Sequence, residues 1–243
     1  LGYVESVNVR WAAARALGLI GDPDGIEPLC TTLGDADGFV RRAAAEALGQ
    51  IGDARAVPAL TTALQADQDE YVRRTALEAL DAINDAAATE VYIQALGDRF
   101  AGVRQAAVKA LGTRGESRAI PHLVTALADV DQPVRVMAIK MLEQAGADAV
   151  EALMEALRDG QWIMRWGAAS ALASIGDGRT VEVLIAALND RESVVREVAA
   201  RGLGRIGDPR ALEALAEVAQ ADRDVHIRRV AADAQAQIKE PKR

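Results

Sequence analysis

An apolar residue followed by arginine recurs along the whole chain, and this repeat limits the fold more than any other feature of the sequence. The interval between successive arginines is always 30 to 32 residues, and alanine stands three positions after each of them. So regular a period is typical of proteins in which one supersecondary unit stacks on the next. The arginines that mark the repeats are Arg10, Arg41, Arg73, Arg104, Arg135, Arg165, Arg196 and Arg228.

The apolar spacing inside each repeat is helical, because valine, alanine, leucine and isoleucine recur at intervals of three and four residues. A second helix follows, with an apolar stripe such as Val57, Leu60 and Leu64. Glycine between the two helices suits a left-handed C-terminal cap, and the aspartate that often follows it suits an N-cap. The repeat therefore predicts a stack of helical hairpins. These glycines are Gly21, Gly52, Gly115, Gly146, Gly176 and Gly207.

The repeated alanine and arginine have structural explanations. A small residue at the alanine position lets neighbouring helices approach closely, and a larger one would push the repeats apart. We predict that each arginine bonds to loop aspartates of an adjacent repeat, so that the arginines form a ladder along the stack.

The segment VRRAAAEALGQIGDARAVPAL resembles the HEAT-like repeat named after phycobilisome lyases, and it is similar to artificial alpha-helicoidal repeats. The similarity runs from Val9 to Ile238. It implies an all-α fold, an α-solenoid or superhelix of about eight HEAT-like hairpins in one domain over residues 1–243. We expect the natural protein to continue upstream of residue 1. Repeat five departs from the pattern with Met141, Glu143 and a loop that is one residue shorter.

The sequence contains few side chains that could take part in catalysis. Cys30 is the only cysteine, which fits a reducing compartment, and we predict a cytoplasmic protein. The two histidines, His122 and His226, lie more than three repeats apart, and neither is followed by the glutamate of the metal-dependent HEAT-repeat hydroxylases. No apolar run is long enough to span a membrane. We therefore predict no catalysis, no metal and no cofactor.

The first helix of each repeat, which carries the repeated arginine after an apolar residue, is called the Val-Arg helix. The resemblance implies that partners bind at non-consensus positions of each Val-Arg helix, on a concave face. Relative to the arginine these are positions −3, −2, +1, +2, +5 and +9, and we call them the front positions. They hold five of the eight aromatic residues. One explanation is a partner site; the other is that bulky residues fill gaps between loops, which fits Phe39 and Tyr71 better than Trp11 or Trp166. The candidate binding residues are Trp11, Phe39, Tyr71, Val136, Met137, Lys140, Trp162, Ile163, Trp166, Arg201 and Arg205.

Charge at the front positions differs from that of the whole chain. They carry eight cationic and five acidic side chains, although the net charge of the chain is −8. This favours a partner with an acidic or carboxylate-bearing surface. We predict a non-catalytic protein-binding scaffold or adaptor. The alternatives are a bilin lyase-like or bilin-binding chaperone, and a helical-repeat protein that processes nucleic acid, against which the acidic total argues.

Overall fold

The computed structural model describes residues 6–86 and 88–240, and in these residues it contains fifteen α-helices and no strand. Eight Val-Arg helices alternate with seven second helices, so the chain is an all-α solenoid, as predicted. The final Val-Arg helix has no second helix within this part of the chain. The helices are Val7–Ile20 (α1), Ile26–Thr32 (α2), Gly38–Ile51 (α3), Val57–Ala66 (α4), Glu70–Ile83 (α5), Ala88–Ala95 (α6), Ala101–Arg114 (α7), Ile120–Thr125 (α8), Gln132–Ala145 (α9), Val150–Ala156 (α10), Trp162–Ile175 (α11), Val181–Ala187 (α12), Ser193–Ile206 (α13), Leu212–Ala221 (α14) and Val225–Lys239 (α15).

The helices form two compact units, Leu1–Leu111 and Gly112–Arg243, and the division falls within α7. In the N-terminal unit α1 packs on α3, and α3 packs on α5. In the C-terminal unit α9, α11, α13 and α15 pack side by side in that order. Within each unit, successive Val-Arg helices are therefore neighbours. That residues 1–243 form one domain stays a prediction.

Helix starts and ends follow the local sequence. The carboxylate of Asp37 accepts hydrogen bonds from the backbone N–H groups of Phe39 and Val40 and caps α3. Gly52 ends the same helix with a φ of 73° and a ψ of 18°, a left-handed conformation that favours glycine. Asp53 then accepts from the N–H of Arg55 and caps the next turn. The predicted glycine and aspartate roles are confirmed here.

The repeated alanine is buried in seven of the eight repeats, and Ala107 and Ala168 are both fully buried. Ala13 is the exception and is exposed, because no helix precedes α1 in the described residues. Neighbouring Val-Arg helices also approach very closely at Gly49, where α3 packs on α5. A Cβ atom on Gly49 would lie 2.9 Å from Cα of Ala79 on α5, so this contact requires glycine.

The predicted arginine ladder is present, and each arginine–aspartate pair in it is called a rung. In each rung Nε of the arginine donates to the carboxylate at 2.6 to 2.9 Å. In four of them Nη2 donates to the other carboxylate oxygen at 2.8 to 3.0 Å. Such two-point pairing is strong and directional. Closed rungs within residues 6–86 and 88–240 include Arg10–Asp35, Arg41–Asp67, Arg73–Asp98, Arg165–Asp190 and Arg196–Asp222.

The rungs also shift acid equilibria. The hydrogen bond from Arg10 holds the pKa of the Asp35 carboxyl below its usual range. The hydrogen bond from Arg196 does the same to the pKa of Asp222. Because the ionised aspartate is the form that the arginine binds, the rungs stabilise the fold only while these carboxyls are deprotonated.

Candidate functional site

The front positions of the N-terminal unit carry exposed aromatic rings on three successive Val-Arg helices. Trp11 on α1 is 39% exposed, Phe39 on α3 is 71% exposed and Tyr71 on α5 is 56% exposed. Phe39 and Tyr71 lie in the first turns of their helices. The explanation that these two rings fill gaps between repeat loops is wrong, because a ring that filled such a gap would be buried.

A groove of about 620 Å³ lies beside two of these rings, between α1 and α3. The guanidinium carbon of Arg15 lies 4.9 Å from the centre of the Trp11 ring, within the range of a cation–π interaction. Arg42 and Glu46 of α3 add one positive and one negative charge to the wall. We call this the N-terminal groove, and its lining is Val7, Asn8, Trp11, Arg15, Phe39, Arg42, Ala43 and Glu46.

Helix α5 repeats the combination of a ring and a guanidinium. The guanidinium carbon of Arg74 lies 5.6 Å from the centre of the Tyr71 ring. Nε of Arg74 is also 3.6 Å from a carboxylate oxygen of Glu78, one helical turn further on. Ring, cation and acid therefore follow one another along the exposed face of α5.

The front positions of the C-terminal unit are less exposed than the sequence predicted. Val136 on α9 and Trp162 on α11 are exposed, at 51% and 46%. Met137, Ile163 and Trp166 are half-buried rather than exposed. The prediction that Trp166 is largely accessible to solvent is therefore wrong. Helix α11 packs against a Val-Arg helix on each side, α9 and α13.

A second groove, of about 540 Å³, lies in the C-terminal unit. Helix α11 carries Ser170 and Ser174 at the two front positions where α13 carries Arg201 and Arg205. Short side chains beside long ones leave the space open. Comparing the same positions in adjacent repeats could have revealed this groove from the sequence. Its lining is Glu143, Ser170, Ser174, Val198, Arg201, Arg205, Val230, Asp233, Ala234 and Gln237.

Only part of the positive charge at this second groove is available to a ligand. Nη2 of Arg201 lies 2.7 Å from a carboxylate oxygen of Glu197, to which Nε2 of His226 also comes within 3.2 Å. Arg205 makes no ion pair within residues 6–86 and 88–240, and it lines the groove directly. Lys140, on α9, is exposed.

The remaining reactive side chains lie apart from both grooves. Burial raises the pKa of the half-buried Cys30 thiol, so it is protonated at neutral pH. Among residues 6–86 and 88–240, no three His, Cys, Asp or Glu side chains come together in a way that could hold a metal ion. In the same part of the chain, no helix has both the length and the apolar character needed to cross a bilayer.

Comparison with solved structures gives similar folds at low sequence identity. Importin beta matches 94% of this chain and 38% of its own length, with 19% identity and a TM-score of 0.67. Escherichia coli YibA matches 96% of this chain and 89% of its own, with 22% identity and a TM-score of 0.56. The CpcE and CpcF complex of phycocyanin lyase from Nostoc sp. matches 89% of each chain, with 24% identity and a TM-score of 0.48. No curated protein matches the sequence.

Comparison with known families gives a match to HEAT repeats over residues 4–81, 58–135, 120–202 and 181–243. These overlapping matches agree with the eight arginine-marked repeats, with the alternating helices and with the importin-like solenoid. The chain therefore belongs to the HEAT-repeat family.

Proposed function

We propose that this chain is a non-catalytic scaffold that binds a partner protein through the front positions of its Val-Arg helices. The observation that carries the proposal is the row of exposed rings on α1, α3 and α5, at Trp11, Phe39 and Tyr71. Folded proteins rarely leave successive large aromatic side chains in water without a reason. Tryptophan, tyrosine and arginine are the residue types that most often dominate the binding energy of protein interfaces.

The N-terminal groove supports a protein partner more strongly than the second groove does. It joins two exposed rings to two arginines, and Arg15 is already stacked on Trp11. A stacked guanidinium keeps its N–H donors free for a carboxylate or a backbone carbonyl of the partner. The binding surface therefore combines apolar rings with hydrogen-bond donors, a combination that is common in protein interfaces.

The proposal is tested with a triple variant, Trp11→Ala, Phe39→Ala and Tyr71→Ala. Proteins captured by the wild-type chain are identified, and the dissociation constant of each is measured by calorimetry with the wild-type and variant chains. We expect affinity to fall by at least about 30-fold, which is about 2 kcal/mol. Because the rings are exposed, we expect each substitution to change the free energy of unfolding by less than about 1 kcal/mol.

The matched control is Ile20→Ala, which removes an exposed apolar side chain outside the front positions. It should bind each partner as the wild type does. A partner that the triple variant binds with unchanged affinity would show that the rings are not the binding surface. The same result with every captured protein would contradict the proposed function.

A further inference from the structure

The second groove lies where two departures from the repeat pattern meet. Eight residues after the repeat arginine, α3 carries the packing glycine Gly49, whereas α9 carries Glu143. A side chain as long as glutamate does not fit into so close a helix contact, and Glu143 is half-buried and lines the groove. On α11, next to α9, the front positions hold the short side chains of Ser170 and Ser174, which also line the groove.

The two sides of this groove carry opposite charges. Helix α11 packs between α9 and α13, so its serines lie between Glu143 on one side and Arg205 on the other. Within residues 6–86 and 88–240, the side chains of Glu143 and Arg205 make no ion pair and no hydrogen bond. Both charges are therefore available to a ligand that lies over the serines.

Helix α15 adds a second acid to the lining. Asp233 is exposed and makes no ion pair in the part of the chain that the structure describes. The other cation of the groove, Arg201, is already held by Glu197 at 2.7 Å. The available charges thus run negative, positive, negative across α9, α13 and α15. A purely anionic ligand would meet two free acids for one free cation, so the lining favours a ligand that carries both signs of charge.

The groove is open to water rather than enclosed. Ser174, Arg205, Asp233 and Gln237 line it and are exposed. Sites for small molecules usually bury most of the ligand surface, which an open groove cannot do. An extended peptide can keep one side in water while every second side chain, about 7 Å from the last, points to the protein. The openness of the groove therefore favours a peptide segment over a small molecule.

We propose that the second groove binds an extended segment of a partner protein in which one acidic residue stands between two basic residues. The acidic side chain pairs with Arg205, whose planar guanidinium can donate two hydrogen bonds to one carboxylate. The two basic side chains pair with Glu143 and Asp233. Exposed ion pairs are individually weak, so the order of charges selects the segment more than it sets the affinity. This inference rests on the proposed function, to which it adds a second binding site.

The test uses two acetylated and amidated peptides of the same composition and net charge. The matching peptide is Ser-Lys-Ser-Glu-Ser-Lys-Ser, and the control is Ser-Glu-Ser-Lys-Ser-Lys-Ser, in which the acid is no longer between the bases. Each is titrated into the ¹⁵N-labelled full chain while the backbone N–H signals of Ser174 and Arg205 are followed by NMR. We expect the matching peptide to shift both signals and to bind at least about 5-fold more tightly than the control.

Equal binding of the two peptides would contradict the proposed order of charges. No shift at Ser174 and Arg205 with the matching peptide would show that the groove is not the site. Free glutamate and free lysine should bind more weakly than the matching peptide. If either bound as tightly, the groove would be a site for small ligands, and the assignment to a partner segment would be overturned.

Variants locate the site and separate the two proposals. Arg205→Gln removes the available cation and should weaken the matching peptide at least about 5-fold. The control Arg229→Gln removes an exposed arginine of α15 that lines neither groove, and it should bind the peptide as the wild type does. If Arg205→Gln also binds as the wild type does while the triple ring variant loses its partner, this inference fails and the scaffold function stands. If Arg205→Gln weakens the peptide while the triple ring variant keeps every partner, the inference stands and binding through the rings fails.

Discussion

The rungs at Arg165 and Arg135 lie on neighbouring helices of the same unit, and they differ in one respect. Both arginines donate from Nη1 to the two backbone oxygens before their helix, and both have an aspartate at the matching place in the next repeat. Arg165 reaches Asp190 with two hydrogen bonds, and Arg135 does not reach Asp159. The difference teaches that the repeat motif can supply both charges without bringing them together. The pair that fails to form belongs to the repeat in which the connection after the Val-Arg helix is one residue shorter, residues 146–149 against residues 176–180.

The energetic meaning of the two rungs also differs. The side chains of Arg165 and Asp190 are 8% and 11% exposed, so each has lost most of its water and depends on the other. Removing one partner of such a pair typically costs about 3–5 kcal/mol, because the other charge is left buried alone. The rung at Arg135 is open, meaning that its arginine and aspartate do not pair. The buried Nε of Arg135 already lacks a partner, a state that costs about 1–3 kcal/mol in a typical protein.

The largest expected effect breaks the closed rung. Arg165→Met should lower the free energy of unfolding by about 3–5 kcal/mol, because Asp190 keeps its charge and loses its cation. Arg135→Met is the matched variant and should cost at least about 2 kcal/mol less, because it removes an unpaired donor and breaks no ion pair. Urea denaturation monitored by circular dichroism measures both. Equal losses would mean that the two rungs do not differ in energy.

The next effect concerns residues 146–149, the connection between α9 and α10. Gly146→Ala should destabilise the chain by about 1–3 kcal/mol, because a φ of 58° with a ψ of −126° is a region that side chains other than glycine rarely enter. Gly176→Ala is the control in the longer connection, where a φ of 70° and a ψ of 23° are left-handed helical and cost alanine about 1 kcal/mol. Thermal melts compare the two. A smaller loss at Gly146 would argue that its backbone is not strained.

The smallest expected effect on the free energy of unfolding is seen only at acidic pH. Burial acts to raise the pKa of Asp190, but the Arg165 hydrogen bond, the Glu192 N–H and nearby arginine charges outweigh it and lower that pKa. A lowered pKa in the folded state means that this carboxyl stabilises the fold above its unfolded value of about 3.9. That stability is lost as the pH falls through the folded pKa.

Asp190→Asn should therefore flatten the fall in unfolding free energy below about pH 4. Asp159→Asn removes an exposed carboxyl that belongs to no closed rung, and we expect it to keep the wild-type profile. The measurement is the midpoint of urea unfolding at several pH values between neutral and acid. A wild-type slope in Asp190→Asn would show that this rung does not contribute to acid sensitivity.

Much of the fold was predictable because its causes are local. Every Val-Arg helix begins three residues before its arginine, as the apolar spacing implies. Gly52 ends one helix and Asp53 caps the next turn, as their chemistry predicts. The ladder was predicted too, since an arginine near a helix start and an aspartate in a loop recur with one period. Side-chain exposure at the front positions was harder to predict. Phe39 is exposed, which excludes the gap-filling alternative, and Trp166 is less exposed than predicted.

The sequence by itself determined the repeat, the alternation of two helices and the residues available at each front position, because helix propensity, capping and periodicity act over a few residues. Tertiary structure alone decided which of those residues stay in water, that Ser170 and Ser174 leave a groove, and that the ladder opens at Arg135. These outcomes depend on where one helix lies against the next. A connection that is shorter by one residue is a small change in the sequence. The resulting shift in position exceeds the few tenths of an ångström over which a hydrogen bond holds.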